Sequence, residues 1–196
     1  LGAPGRHLAM NSLAVLLTAK AFGIELELAA GTLAFFSAQP GRGERLRLSA
    51  KNGPFTLIDE SYNANPASMR AALALAGALP LPGDGRRIAV LGDMLELGGN
   101  GAAMHAELAG DAVANHIDLV FAAGPLMKHL FEALPGHLQG AWRDRASDLA
   151  GVVAAAVQSG DVVVVKGSKL SRMSAIVDAL KENATAENSA QNCQGP

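Results

Sequence analysis

Residues 88–91 and 162–165 are apolar at every position. Strands that are buried on both faces of a parallel sheet have this pattern, because helices cover each face. Ala- and Leu-rich segments of helical length lie between the strand-like segments, so strands and helices alternate along most of the chain. This alternation predicts an α/β fold with a Rossmann-like, doubly wound, mostly parallel sheet of six strands.

The expected sheet has one antiparallel edge strand, because the Asn52-Gly53 pair is typical of a hairpin turn between the first two strands. The strands are predicted at 45–50, 55–59, 87–91, 118–122, 138–142 and 161–165. The helices that follow the hairpin are predicted at 66–79, 102–114, 125–134, 146–158 and 171–181.

Two further helices are expected ahead of the sheet, at 8–22 and 25–37. The glycines and proline of 39–43 then interrupt the pattern, and we interpret this segment as a linker. We therefore expect a helical piece over 1–40 and a main domain over 41–181. Residues 182–196 are polar, and we expect them to be disordered.

Composition excludes several classes of protein. The net charge is -2 and no basic cluster stands out, so we expect no nucleic-acid partner and no membrane partner. A single cysteine rules out an internal disulfide framework, which is consistent with a cytoplasmic location. The apolar runs are too short to span a bilayer. The histidines lie on separate predicted elements, so no metal cage is expected.

Three polar, glycine-bearing segments, 59–66, 92–98 and 166–169, follow predicted strands. Ligands of open α/β sheets bind at the carboxyl ends of the strands, and these segments meet at that edge. Their convergence predicts a ligand site.

The first segment places two acids, a phenol and two amides ahead of a helix start. Backbone N–H groups at such a position bind anions, and the side chains are able to bind a polar ligand. For Asn65 alone, a helix-capping role explains the residue equally well.

The other two segments leave alternatives open. Asp93 and Glu96 belong either to a functional loop or to a solvated loop whose apolar residues plug the core. The pattern alone makes His105 an ordinary core or surface histidine. Lys166 at a strand end is suited to a phosphate or a carboxylate, or it extends to solvent.

Familiar nucleotide and hydrolase motifs do not occur in this chain. No G-x-x-x-x-G-K-[ST] phosphate loop is found, and no G-x-G-x-x-G lies between a strand and a helix. No G-x-S-x-G nucleophile motif is found either.

Taken together, the motifs resemble those of the Mur ligases. The stretches that carry the resemblance, in family order, are Gly5-Arg6-His7-Leu8-Ala9-Met10-Asn11, Gly41-Arg42, Leu57-Ile58-Asp59-Glu60-Ser61-Tyr62-Asn63-Ala64-Asn65-Pro66-Ala67-Ser68-Met69, Leu91-Gly92-Asp93-Met94-Leu95-Glu96-Leu97-Gly98 with His105, and Val165-Lys166-Gly167-Ser168. The Tyr-Asn-Ala-Asn-Pro run resembles the family members that join D-alanyl-D-alanine to UDP-N-acetylmuramoyl-tripeptide.

The resemblance implies a three-domain, ATP-dependent ligase that acts in cytoplasmic peptidoglycan precursor synthesis as a monomer. In such an enzyme, residues 1–40 are the last helices of a central ATPase domain, and 41–181 are the C-terminal domain. The phosphate loop, most Mg²⁺ ligands and the UDP site are then expected upstream of this chain, which is expected to be inactive alone.

The resemblance also implies roles for individual residues. Asn11 is expected to contact adenine, and Arg42 is expected to reach the phosphates of ATP. Glu60, where the family more often has Asp, lies next to the ribose, while Tyr62 and Asn65 frame the nucleotide. The remaining implied residues face the incoming dipeptide and are Asp93, Glu96, His105, Lys166 and Ser168. Arg42 and Lys166 are the expected catalytic residues.

The implied reaction proceeds through an acyl phosphate, which the amine of D-alanyl-D-alanine then attacks. Positioning and charge neutralisation dominate such chemistry. Two alternatives remain open on the sequence: another Mur-type or folylpolyglutamate-type ligase, and a Rossmann-like binding module without catalysis.

Overall fold

The computed structural model describes residues 6–35, 40–50 and 52–192. Its strands are β1 (Glu44–Ala50), β2 (Gly53–Glu60), β3 (Arg87–Gly92), β4 (Leu119–Ala123), β5 (Gln139–Arg143) and β6 (Val162–Lys166). Its helices are α1 (Arg6–Ala21), α2 (Leu26–Leu33), α3 (Pro66–Ala78), α4 (Gly101–Ala114), α5 (Met127–Ala133), α6 (Ala146–Ala156) and α7 (Ser174–Asn192).

The six strands form one sheet in the order β1-β2-β6-β3-β4-β5. Strand β1 pairs with β2 antiparallel at the edge, and the other neighbouring pairs are parallel. The predicted fold class is therefore confirmed, including the antiparallel edge strand. The order brings the ends of β2, β6 and β3 side by side, so the three predicted segments meet at one edge.

The core consists of two apolar layers, one on each face of the sheet. One layer packs α3, α4 and α5 against residues such as Ile58 and Leu91, which have no exposed surface. The other packs α6 and α7 against Val163 and Val165. Strand β6 is buried along its whole length, as its uninterrupted valines predict.

The element boundaries differ from the prediction at both ends of the chain. Helix α2 ends at Leu33, and 36–39 lie outside the described residues. Helix α7 continues to Asn192, through most of the segment predicted to be disordered. Ala and Glu are good helix formers, and their presence beyond Lys181 allows the helix to continue although the segment is polar.

The amino edge of the sheet is closed by a buried ion pair. Arg86 Nη2 donates to Asp161 Oδ2 at 2.8 Å, and Nε donates to Oδ1 at 3.2 Å. Hydrogen bonding to Asp161 raises the pKa of Arg86 above its ordinary value. The backbone N–H groups of Arg86 and Gln158 also donate to this carboxylate, which is 1% exposed. Both carboxylate oxygens therefore have two donors each.

Helices α1 and α2 pack against each other and leave large apolar side chains in solvent. The exposed side chains are Met10, Leu13, Val15, Leu17, Phe22, Ile24, Leu26, Leu28 and Phe35. So many exposed large apolar side chains on one short part of the chain are typical of an interface.

Among the described residues, no helix combines the length and the apolar character that crossing a bilayer requires.

Candidate functional site

A pocket of about 190 Å³ opens at the carboxyl edge, where β2 and β6 end. It is lined by Gly41, Arg42, Glu60, Tyr62, Asn63, Asn65, Ser68 and Lys166. The pocket therefore gathers Arg42, all three residues predicted to frame the nucleotide after strand β2, and the lysine at the end of β6.

Asp59, at the end of β2, holds the linker against the loop that follows this strand. Its Oδ2 accepts from the backbone N–H of Gly41 and its Oδ1 from that of Ser61, each at 3.0 Å. The backbone N–H of Tyr62 in turn donates to Gly41 O at 3.0 Å. Asp59 is 3% exposed, and these bonds fix the backbone on which Arg42 stands.

Gly41 allows this close approach. Its φ of +76° lies in the left-handed region, and a Cβ there would lie 3.0 Å from Tyr62 Cβ and 3.1 Å from Tyr62 N. A side chain at Gly41 would be strained and would separate the linker from the loop.

Two cations lie over the ring of Tyr62. The guanidinium carbon of Arg42 is 4.1 Å from the ring centroid, and Lys169 Nζ is 5.4 Å from it. Both distances fall within the range of cation–π attraction. The ring thus holds Arg42 at the mouth of the pocket.

The side chain of Lys166 lies in the pocket. Its ammonium is buried and donates to Glu60 Oε2 at 3.0 Å and to Asn63 O at 2.8 Å. It therefore closes the floor of the pocket and is bonded to the segment that follows β2. A strand-end lysine that extends to solvent is excluded by this burial.

Asn65 caps α3 and also lines the pocket. Its Oδ1 accepts from Ser68 N at 2.8 Å, while Ser68 Oγ accepts from Asn65 N at 3.0 Å, and Pro66 occupies the first helical turn. This is the capping role that the sequence offered as an alternative. The amide NH₂ of Asn65 takes no part in the cap, so the side chain retains donors toward the pocket.

The 93–98 loop is fastened to its surroundings by Asp93. Its carboxylate accepts from Met127 N at 2.8 Å and from Leu126 N at 3.3 Å, where α5 begins. Burial raises the pKa of Asp93, and the two backbone N–H donors and the nearby His105 offset part of this effect.

His105 and Ser168 fasten the same loop from two other elements. His105 Nε2 accepts from Met94 N at 2.9 Å, which leaves Nδ1 as the donor to Gly101 O at 2.6 Å. Ser168 Oγ accepts from Leu95 N, and Ser168 N donates to Asp93 O, each at 3.0 Å. His105 has no exposed surface, and Ser168 is also buried.

The residues predicted to face the dipeptide therefore differ in their exposure to solvent. Asp93, His105, Lys166 and Ser168 are buried and bonded within the protein, whereas Glu96 is exposed. Glu96 has a φ of 64°, a conformation that non-glycine residues seldom adopt. Asn11 lies exposed on α1 and is not among the residues that line the pocket.

No cluster of three or more His, Cys, Asp or Glu suited to a metal ion occurs within the described part of the chain.

Sequence reasoning did not assign an individual role to two residues that the structure places at or beside the pocket. Asp59 anchors the linker, and an acid directly after a buried strand was the available signal. Lys169 reaches Tyr62, but the sequence shows only a positive charge near the third segment. Contacts between distant segments decide both roles, and spacing along the chain does not reveal them.

Comparison with known proteins agrees with this architecture. Residues 41–169 match the family model described as Mur ligase, glutamate ligase domain. The UDP-N-acetylmuramoyl-tripeptide–D-alanyl-D-alanine ligase of Bacillus subtilis is 34% identical over 91% of this chain. The enzyme of the same name from Escherichia coli is 33% identical over 93% of the chain. The chain spans 39% and 38% of the length of these two relatives.

Solved structures give the same result. A crystal structure of MurF from Acinetobacter baumannii superposes with a TM-score of 0.78, at 26% identity, over 91% of this chain and 38% of its own. MurF ligase from Thermotoga maritima, solved in complex with ADP, superposes with a TM-score of 0.68 at 24% identity, over 87% of this chain and 37% of its own. The second likeness supports the fold.

Proposed function

The chain belongs to the Mur ligase family, and we propose that it forms the C-terminal part of an ATP-dependent ligase that joins D-alanyl-D-alanine to UDP-N-acetylmuramoyl-tripeptide. The observation that carries the proposal is the pocket at the carboxyl edge, where Arg42 is held by Tyr62 and by the Asp59-anchored linker. The two relatives that match 91% and 93% of this chain bear the name of that activity.

The residues around the pocket fit one side of an adenine nucleotide. Arg42 is exposed and is in no ion pair formed by the described residues, so it is available to phosphate oxygens. Glu60 and the amide of Asn65 offer an acceptor and donors to a ribose. Asn11 is assigned to adenine by its motif. Lys166 acts on the nucleotide indirectly, because its ammonium is bonded to Glu60 and to the Asn63 carbonyl and orients both.

When bound, ATP supplies the phosphoryl group that activates the substrate carboxylate as an acyl phosphate. The part of this chain is to hold and orient the reactants, since such chemistry depends on positioning and on neutralised charge. We assign no magnesium ligand to this chain.

The dipeptide is assigned to the 93–98 loop, with Glu96 as the exposed residue able to bind its ammonium group. Asp93, His105 and Ser168 act through the loop, because each spends its hydrogen bonds on backbone groups at or beside it. These are positioning residues, and their replacement is expected to affect dipeptide use more than ATP use.

We also propose that α1 and α2 belong to a central ATPase domain, while residues 41–181 form the C-terminal domain. The exposed apolar side chains of the two helices support this assignment, because they need a partner surface. Such an enzyme acts in the cytoplasm as a monomer on water-soluble precursors.

The test measures phosphate release that depends on both substrates, in the enzyme as its gene encodes it. Arg42→Ala is expected to lower kcat/KM by about 100-fold, since an oriented charge on the transferred phosphoryl group is worth several kcal/mol. Arg42→Lys is expected to recover only part of this, because a single ammonium does not replace a guanidinium fork.

Arg45→Ala is the matched control, since Arg45 is an exposed arginine on the neighbouring strand β1, outside the pocket. Wild-type kinetics in Arg42→Ala would contradict the site. Phosphate release without D-alanyl-D-alanine, or with another amino acid in its place, would contradict the assigned reaction.

A further inference from the structure

Cations outnumber their acid partners at the carboxyl edge. Among the ion pairs formed by the described residues, none includes Arg42, Lys169 or Arg172. All three side chains are exposed. Glu60, the acid in the pocket, is already bonded to Lys166. Arg42, Lys169 and Arg172 are therefore cations whose charge is available to an anion at this edge.

Two of these cations share one aromatic ring. Arg42 and Lys169 both lie over Tyr62, at 4.1 and 5.4 Å from its centroid. Two like charges beside the same ring repel each other, while the ring attracts both. A bound anion that touches both charges would relieve this repulsion.

The contact of Lys128 with the ring of Trp142 serves as a comparison for the cation–π contacts at Tyr62. Lys128 Nζ also lies 5.4 Å from a ring centroid, that of Trp142. Lys128 has an acid neighbour, Glu132, at 3.8 Å, and no other cation of the described residues lies over the ring of Trp142. The Tyr62 arrangement differs in both respects, although the lysine distances are equal.

The backbone that carries Lys169 is firmly held. Lys169 begins a short 3-10 turn directly after Ser168, whose N–H and Oγ are bonded to the 93–98 loop. Ser171 Oγ donates to Ser168 O at 2.6 Å and closes the turn. The ammonium therefore starts from a fixed point and needs little ordering when it binds.

We propose that Lys169 is a second phosphate-binding residue, which together with Arg42 holds the phosphate chain of the nucleotide beside Tyr62. The inference rests on the proposed nucleotide function and adds a residue to it. A polyphosphate carries several charges along its length and so reaches both cations, whereas a single carboxylate balances only one. Tyr62 acts as the positioning residue for the two.

The test titrates the chain of residues 1–196 with inorganic tripolyphosphate, and separately with ATP and with D-alanyl-D-alanine. Tyr62 is the only tyrosine, so ring ¹³C labelling gives one unambiguous set of NMR signals that follows binding. Lys169→Gln is expected to weaken tripolyphosphate and ATP about fivefold, as one solvent-screened charge contact does. Lys169→Arg should retain most of the affinity.

Lys128→Gln is the matched control and should leave every affinity unchanged. The Tyr62 variants lack the labelled tyrosine, so their binding is measured by isothermal titration calorimetry beside wild type. Tyr62→Phe keeps an aromatic ring and should recover the affinity that Tyr62→Leu loses. Tyr62→Leu should bind tripolyphosphate more weakly and should lose the upfield ring-current shift of the Lys169 ε-methylene protons. The Tyr62 variants thus separate the positioning role of the ring from a general loss of charge.

The outcomes separate this inference from the proposed function. If Arg42→Ala weakens ATP and tripolyphosphate while Lys169→Gln binds both like wild type, the role of Lys169 is wrong and the site stands. If Lys169→Gln weakens only D-alanyl-D-alanine, the cation serves a carboxylate and the inference is overturned. If wild type binds neither ATP nor tripolyphosphate, the inference fails, whereas the proposed function is decided separately by phosphate release in the enzyme as its gene encodes it.

Discussion

The amino and carboxyl edges of the sheet each bury a cation–carboxylate pair, Arg86–Asp161 and Lys166–Glu60. Each edge also has a cavity, about 280 Å³ at the amino edge and about 190 Å³ at the carboxyl edge. Neither a buried ion pair nor the size of a cavity therefore distinguishes a site from a structural feature.

The difference lies in what each pair leaves unused. Both oxygens of Asp161 are saturated by Arg86 and by backbone N–H groups, so this pair leaves no acceptor for a ligand at the amino edge. At the carboxyl edge, Lys166 and Glu60 neutralise each other, and Arg42 and Lys169 stay unpaired among the described residues beside them. The comparison indicates a structural edge and a binding edge.

The largest expected effect is at the amino edge. Asp161→Ala leaves the Arg86 guanidinium and two backbone N–H groups without their acceptor, and we expect it to lower the free energy of unfolding by about 4 kcal/mol. Urea denaturation measures this. Asp144→Ala, an exposed acid, is the control and should change stability by less than about 0.5 kcal/mol. Folded Asp161→Ala should bind ATP like wild type, and weakened binding would contradict the structural role of this edge.

The second largest effect is the difference in stability cost between a glycine substitution at the amino edge and one at the carboxyl edge. A Cβ at Gly85 would overlap the backbone carbonyl of Gly160, which has no freedom to move aside. A Cβ at Gly167 would meet the side chains of Ser171 and Met173, which are able to rotate, although Gly92 Cα also lies 3.1 Å away. We expect Gly85→Ala to cost about 3 kcal/mol and Gly167→Ala about 1 kcal/mol. Equal midpoints in urea would show that both sites relax alike.

At the carboxyl edge, Glu60→Ala is expected to cost about 2 kcal/mol, because Lys166 then keeps only the Asn63 carbonyl. This is less than at Asp161, since Asp161 accepts from the Arg86 side chain and from two backbone N–H groups, whereas Glu60 accepts from Lys166. Adding Lys166→Met should restore part of the stability but no nucleotide affinity. A double variant as unstable as Glu60→Ala would show that the unpaired charge is not the cause.

The contrast between the edges also shows how far the sequence reaches. Uninterrupted valines and an Asn-Gly turn predict β6 and the β1–β2 hairpin, because burial on two faces and hairpin geometry are local properties. The gathering of Arg42, Glu60, Tyr62, Asn65 and Lys166 follows from the strand order together with the motif resemblance.

The sequence does not predict the hydrogen-bond partners of the polar side chains. The motif around His105 points to substrate, but both ring nitrogens are taken by backbone groups. The motif around Lys166 points to the dipeptide, and the hydrogen bonds of its ammonium go to Glu60 and the Asn63 carbonyl. Such choices depend on Å-scale distances between segments that are far apart in the chain, and residue spacing does not encode them.

The smallest expected effect is a pH dependence of the unfolding free energy that comes from Asp93 in the 93–98 loop. Asp93 is buried and hydrogen-bonded, as Asp161 is, but its pKa is raised. Because the folded protein holds the Asp93 proton more tightly than the unfolded chain, the stability that this residue contributes is fully present below its unfolded pKa. That contribution is lost as the pH rises through the folded value. The unfolding free energy of wild type should therefore fall relative to that of Asp93→Asn as the pH rises above the ordinary titration range of an aspartate, because burial disfavours the charged carboxylate. Urea denaturation of both proteins over this rise in pH measures the difference, and Asp144→Asn serves as the exposed control with no such slope. A difference that grows in the opposite direction would mean that the Leu126 and Met127 N–H groups outweigh burial, which would make Asp93 resemble the saturated Asp161 of the amino edge.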